Sequence, residues 1–450
     1  MTTSAPWLII VAVLAIVALL FLVMRTKLQA FIALLVVSFL VGIAVGMPPG
    51  EIITTIEEGM GGTLGFIAVV IGLGAMFGEM LRVSGGAERL ALTLVDKFGE
   101  KNVSWALALT GFIVSIPVFL DVALVILIPI VYSLVRKTKK SLVYYGIPLV
   151  AGLAVTHSFI PPTPGPISVA SIIGADLGWV ILFGALAGLP AVAIAGPMFG
   201  KYMAKKIDIG VPEYMMEQMR NVEYDRELPS FRSVLAIILL PLVLILLNTG
   251  SGVFLSEEST AYEILSFIGD PFFALTVAAL LTFYVFGIRR GYSKEEVQQI
   301  TTKALEPAGI IILVTGAGGV FGEMLIQSGV GDVLANAMEN ANMPILVFAF
   351  ITAVLVRVAQ GSATVAMVTA AGLVAPLLET YNVSEPMLGL LVITIASGAT
   401  AFSHVNDSGF WLVSRYFGLN EKQTLQTWTV METIIGFVGF GVALILSIFV

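Results

Sequence analysis

Cysteine is absent from this chain, which excludes disulfides, thioether-linked haem and thiolate metal centres. Histidine occurs only at His157 and His404, and two imidazoles do not make a convincing metal cluster. No cofactor or metal is therefore expected. Charge is also scarce: Asp, Glu, Lys and Arg make up 12% of the 450 residues, against roughly 25% in an ordinary soluble domain. No GxxxxGK[ST] string is present, which disfavours an ATP-driven pump, and no nucleic-acid partner is expected. The net charge of -7 says little, because in a lipid-embedded chain the placement of charge matters more than its sum.

What is abundant is hydrocarbon. Hydrophobic residues reach 58% and the mean hydropathy is +1.00, more apolar surface than a soluble core of this size could hide. Apolar runs cover residues 7–24, 30–46, 64–81, 103–135, 142–160, 177–200, 234–247, 271–288, 308–325, 344–378, 388–402 and 429–450. About 20 apolar residues suffice to cross a bilayer as helix, so the chain reads as an all-α polytopic membrane protein. Its opening residues MTTSAPWLII carry no basic cluster, so the first run is expected to be retained as a span rather than cleaved.

Two runs are too long. Residues 103–135 and 344–378 would each form a helix of about 50 Å, and each is interrupted near its middle, by SIPVFLD (Ser115 to Asp121) and VAQGSAT (Val358 to Thr364). A tilted helix, two short spans or a re-entrant hairpin are all conceivable from length alone. The cations discriminate. If both long runs return to the side they entered from and the other ten cross once, 22 of the 23 Lys and Arg residues face one compartment, the exception being Arg357. Segments expected as loops on the other side, such as MPPGEIITTIEEG and SGVFLSEESTAYEI, hold acids and no base. The preference of basic loops for the cytoplasm then gives ten spans, two hairpins and both termini outside.

The chain also repeats itself. GAMFGEMLRVSGGAERLA, from Gly74, aligns with GGVFGEMLIQSGVGDVLA, from Gly318. In that register hairpin falls on hairpin. The expected division is a first repeat over residues 1–207 with its hairpin near 103–135, a cytoplasmic linker over 208–229, and a second repeat over 230–450 with its hairpin near 344–378. The loop after the first FGEML is basic and that after the second has no Lys or Arg, so the halves are expected to be inverted. Inverted repeats with interrupted helices are a recurrent secondary-transporter plan, with the site where the repeats meet.

Polar groups buried in such a framework are the candidates for chemistry. An arginine inside an apolar run costs a few kcal/mol unless it is paired or liganded, and Arg357 sits in VLVRVAQGSATVAMV with Gln360, Ser362 and Thr364 close by. It is expected either as partner of Asp121 or Asp407, or as counter-ion of a solute carboxylate. In the first half, His157, Ser158 and Thr163 fall in or beside SFIPPTPGPIS, where Pro161, Pro162, Pro164 and Pro166 must break the helix. In the second, SGATAFSHVNDSGFW places Ser397, Thr400, Ser403, His404, Asn406, Asp407 and Ser408 around another expected break. Broken helices offer free N–H groups and positive dipole ends to carboxylates, and the hydroxyls and amides suit a hydroxylated solute. Asp121 and Asp407 are candidate proton carriers. Glu79 and Glu323, in the repeated FGEML, are either coupling acids or side chains that snorkel to the interface.

With these strings on the page, GEMLRVSGGAERLA, THSFIPPTPGPISVA, RVAQGSATVAMVTAAGLVAP and SGATAFSHVNDSGFWLVSRYFGL, the chain resembles the gluconate permease family of bacterial proton symporters over essentially its full length. The resemblance implies an ion-transporter-superfamily-like fold, uptake of gluconate or a related sugar acid with protons, and the cytoplasmic membrane. It also implies elevator-type movement within a homodimer, and no enzymatic activity. Relatives of the same fold that take D-serine, fructuronate or idonate leave the solute open. A passive facilitator is the alternative from another class. Sodium coupling has no signature side chain that inspection could test.

Overall fold

The computed structural model describes residues 4–213, 227–330, 333, 343–378 and 383–450. All secondary structure among them is helical. The first half comprises α1 (Ala5–Met24), α2 (Ala30–Ala44), α3 (Pro49–Val83), α4 (Gly86–Val114), α5 (Leu120–Thr138), α6 (Leu142–Phe159), α7 (Pro164–Ile173) and α8 (Leu177–Met203). The second comprises α9 (Phe231–Phe254), α10 (Thr260–Ile268), α11 (Pro271–Thr282), α12 (Lys294–Lys303), α13 (Leu305–Gln327), α14 (Ile345–Gln360), α15 (Ala363–Leu378), α16 (Glu385–Thr400), α17 (Ser408–Phe417) and α18 (Glu421–Leu446).

Among the described residues, eight helical stretches are long and apolar enough to cross a bilayer, and they fall on eight of the ten runs read as single crossings. The other two, α2 and α16, are apolar but only 15 and 16 residues long. The two overlong runs are each divided in two. α4 ends at Val114 and α5 resumes at Leu120, while α14 ends at Gln360 and α15 resumes at Ala363. In both cases the two arms pack against each other as a helical pair.

One expectation is corrected. The segment MPPGEIITTIEEG is not a loop, because α3 begins at Pro49 and runs unbroken for 35 residues. Proline is tolerated in a first helical turn, where its missing N–H has no partner to lose, and Glu51 in that turn favours the helix dipole. The basic stretch after the first FGEML is also largely helical, with a kink at Gly99, where φ is 67°.

Hydrocarbon gives helices no hydrophobic reason to associate inside a bilayer, so close approach through small residues does much of the holding. Gly111 of α4 and Gly152 of α6 show this directly. A Cβ on either would collide with the other helix's backbone, at the Leu149 and Ala108 carbonyls respectively. The repeated FGEML has a similar use: a Cβ at Gly78 of α3 would strike the Pro117 carbonyl in the α4–α5 turn. α3 lies along α13, the two FGEML helices side by side, and the short α7 packs on α15. Ser168 of α7 and Thr315 of α13 join their hydroxyls at 2.9 Å. Elements of the two halves thus interleave around the middle of the molecule.

Candidate solute-binding site

Four helices begin at one cavity of about 610 Å³, represented by Leu120 and Asp121 of α5, Pro164 of α7, Ala363 and Thr364 of α15, and Ser408 and Gly409 of α17. The sequence dictates each start. Proline blocks continuation from α6 into α7, which restarts only at Pro164 behind the Thr163 cap. Gly361 adopts φ 93° at the end of α14, the left-handed conformation that closes helices and that glycine takes without strain. Asp407 caps α17, its Oδ1 accepting the Gly409 N–H at 3.0 Å. The four starts put first-turn backbone and a partial positive charge at the cavity wall, and such dipole ends suit an anion, although Pro164 and Pro166 carry no N–H and Asp407 already takes that of Gly409.

Arg357 lies in the wall, 2% exposed. Its Nη1 donates to the Gly361 carbonyl, and its Nη2 donates to Asp407 Oδ2 at 2.6 Å. The same carboxylate oxygen accepts from the Ser403 hydroxyl, and Ser403 in turn accepts the indole N–H of Trp428 at 2.7 Å. The arginine is therefore held by the break of the second half, one of the two partners the sequence offered, while its Nε has no protein partner. Hydrogen-bonding capacity is left unfilled elsewhere around the same space. Among the described residues, seven buried side-chain polar atoms lack a partner, and four of them, on His157, Arg357, Gln360 and Glu432, belong to residues lining this cavity. Natural proteins rarely leave such atoms unsatisfied, so their concentration at one cavity marks a place for a polar solute.

The structure brings together Arg357, Gln360, Ser362, Thr364, His157, Ser158, Asn406, Ser408, Asp121 and Asp407 on this wall. Asn406 donates to the Val358 carbonyl at 2.9 Å, and the His157 ring stands edge-on to Phe119 with centroids 6.2 Å apart. Seven residues named from the sequence do not line this cavity, Ser397, Thr400 and Ser403 among them. Thr163 is buried and turned to the Ile160 carbonyl, 2.6 Å away, beside a separate small cavity. His404 shares the Val358 carbonyl from outside, its Nε2 at 3.0 Å. Glu79 pairs with Arg82 one turn along α3, and Glu323 accepts from Gln327 at 2.9 Å one turn along α13. Thr163, Glu79 and Glu323 thus bond neighbours three or four residues away, whereas His404 reaches a carbonyl of α14.

Two lining residues with polar side chains escaped the sequence reading. Trp428 and Glu432 both come from α18, whose run was taken as a plain span. The signal for Glu432 was present, since no other charged residue follows Lys422, and a lone acid in an apolar span is a functional candidate by default.

Comparison with known proteins adds the lineage. A model described as GntP family permease matches residues 7–449. The chain is 45% identical over 438 residues to the low-affinity gluconate transporter of Escherichia coli K12, covering 97% of this chain and 98% of that one. It is 41% identical to the gluconate permease of Bacillus subtilis 168, covering 98% and 100%. Identity to the high-affinity gluconate transporter of E. coli K12 is 39%, covering 98% and 99%. Among solved structures, the Alcanivorax borkumensis YdaH transporter, described as having an unusual topology, matches with a TM-score of 0.62 at 14% identity, over 89% of this chain and 90% of that one. At that identity the likeness speaks for the fold alone.

Proposed function

The chain belongs to the GntP family of permeases, and we propose that it is a secondary active transporter that imports gluconate or a closely related sugar acid together with protons across the cytoplasmic membrane. The observation that carries this reading is the cavity itself, where four helix N-termini and a buried guanidinium surround unfilled hydrogen-bonding groups. Its volume falls within the roughly 300–1,000 Å³ of small-molecule sites. Dipole ends and Arg357 suit the carboxylate, while Gln360, Ser362, Thr364, Asn406 and Ser408 suit the hydroxyls. The names of the relatives, gluconate transporters and permeases, support the choice of solute.

Charge supports the coupling ion. Three acids, Asp121, Asp407 and Glu432, line the cavity with one arginine, so an entering anion meets net negative charge when all are ionised. Protons on one or more of these acids relieve that repulsion, and binding of anion and proton then favour each other. Glu79 and Glu323, engaged outside the cavity, have a weaker claim to the coupling role. The two halves, residues 1–207 and 230–450 joined by 208–229, act as inverted repeats with both termini outside. The α4–α5 and α14–α15 pairs are their re-entrant hairpins, and they travel with the solute in an elevator-type movement within a homodimer.

The test is uptake into proteoliposomes of the purified protein, offering gluconate, other sugar acids and D-serine under proton and sodium gradients imposed separately. Gluconate accumulation driven by the proton gradient alone, and lost on adding a protonophore, is expected. Accumulation that follows sodium, or mere equilibration under every gradient, defeats the reading.

A further inference from the structure

Among the described residues only two charged side chains are buried, Arg357 at 2% exposed and Glu432 at 3%, and both line the same cavity. They differ in what holds them. Arg357 is tied to the Gly361 carbonyl and to Asp407. No hydrogen bond or ion pair satisfies Glu432 Oε1. The charged and titratable groups on this wall are Asp121 at the start of α5, His157 of α6, Arg357 of α14 and Asp407 at the start of α17. Asp407, the nearest rival, is already ion-paired and accepts hydrogen bonds from Ser403 and the Gly409 N–H. Asp121 is exposed at the cavity mouth. A carboxylate buried in low dielectric without a partner is costly, and a proton removes that cost at once.

We propose that Glu432 is the acid that takes up and gives back the coupled proton during each transport cycle, resting on the reading of this cavity as a sugar-acid site. The proton moves onto a Glu432 carboxylate oxygen while the cavity is open to the outside and leaves from that oxygen to water on the cytoplasmic side. No bond within the solute changes. With the proton in place, the anion binds next to Arg357 without a bare carboxylate on α18 opposing it. With the anion and the proton both gone, the ionised Glu432 carboxylate offsets the charge of Arg357 in the anion's place, so the loaded and empty sites carry the same net charge.

Two measurements on the full-length protein decide the matter. The first needs no solute: pH-difference infrared spectra of reconstituted wild type and Glu432→Gln are compared for a protonated carboxyl stretching band. A band present in wild type and missing from the variant is expected, and identical spectra overturn the assignment. The second is transport. Glu432→Gln is expected to retain gluconate counterflow and to lose proton-driven accumulation, while Glu432→Asp retains both with a displaced pH profile. Wild-type accumulation by the glutamine variant overturns the proposal, as does loss of both activities in both variants. If wild type itself carries out no gluconate counterflow, the solute reading fails instead, and the infrared comparison still decides the protonation of Glu432.

Discussion

Arg357 and Asp407 are joined by a 2.6 Å ion pair that links the turn of one helical hairpin to the break of the following span. The arginine belongs to the last turn of α14 and the aspartate caps α17, so the pair, with the bonds of Asn406 and His404 to the Val358 carbonyl, ties together two segments that both face the cavity. In hydrocarbon surroundings, removing one partner strands the other, which in buried pairs costs about 3–5 kcal/mol.

Arg357→Ala and Arg357→Gln are expected to abolish gluconate uptake while the protein still inserts, with a lowered melting temperature from the stranded Asp407. Arg357→Lys retains the charge but cannot reach both Gly361 and Asp407 with a planar fork, so residual uptake with weakened affinity is expected. Uptake assays alongside quantification of inserted protein separate the two effects. Wild-type uptake by the glutamine variant would remove the counter-ion role.

Gly361→Ala tests the turn itself. The residue has φ 93°, and a Cβ there would collide with the Asn406 carbonyl. Left-handed strain for a non-glycine residue costs about 1–3 kcal/mol, and the collision pushes the hairpin turn away from the α16–α17 break. A lower melting temperature together with weaker gluconate binding is expected, the latter measured on purified protein. Unchanged binding would mean that the turn does not shape the cavity.

These two positions also show what the sequence made legible. Arg357 stood out because one cation in an apolar run violates the placement of all the others, and both helix breaks were marked by prolines or by a cluster of small polar residues. The pairing partner was harder, since Asp121 and Asp407 are equivalent candidates until the fold fixes their distances, and only Asp407 makes the bond. Thr163, Glu79 and Glu323 have the right chemistry in the right segments but turn to local partners, and His404 turns to the Val358 carbonyl, which depends on rotation about the helix axis and on loop path rather than on spacing. Glu432 was marked as the one charge after Lys422, but that it and Trp428 reach the cavity from α18, the last helix of the chain, is long-range packing that no local pattern announces.

Trp428→Phe probes the support behind the ion pair. It keeps an aromatic ring, though a smaller one, and removes the donor that holds Ser403, which itself holds Asp407. Loss of one hydrogen bond is worth about 0.5–1.5 kcal/mol, too little to unfold a protein of this size but enough to loosen the carboxylate. A several-fold higher KM for gluconate with nearly unchanged maximal rate is expected. A fall in maximal rate alone would instead place Trp428 in the conformational step.

The orientation of the chain can be tested without altering any native thiol, because the sequence has no cysteine and every introduced cysteine reports on its own position. Lys137 lies at the exposed end of α5, paired with Glu100 at 2.8 Å, within a cluster of four cations from Arg136 to Lys140. Under the inverted-repeat topology it faces the cytoplasm, whereas Glu257 and Glu258, in an acidic segment free of bases between α9 and α10, face outward. A membrane-impermeant maleimide added to intact cells is expected to label Glu258→Cys directly, and Lys137→Cys only after the membrane is opened. Direct labelling at position 137 would put the basic cluster outside, contradict the preference of cations for the cytoplasmic side, and dissolve the symmetry that brings the two helix breaks to one depth. Equal labelling of both before permeabilisation would mean that an even number of crossings separates the two positions, and the three runs between them, residues 142–160, 177–200 and 234–247, would have to be redrawn.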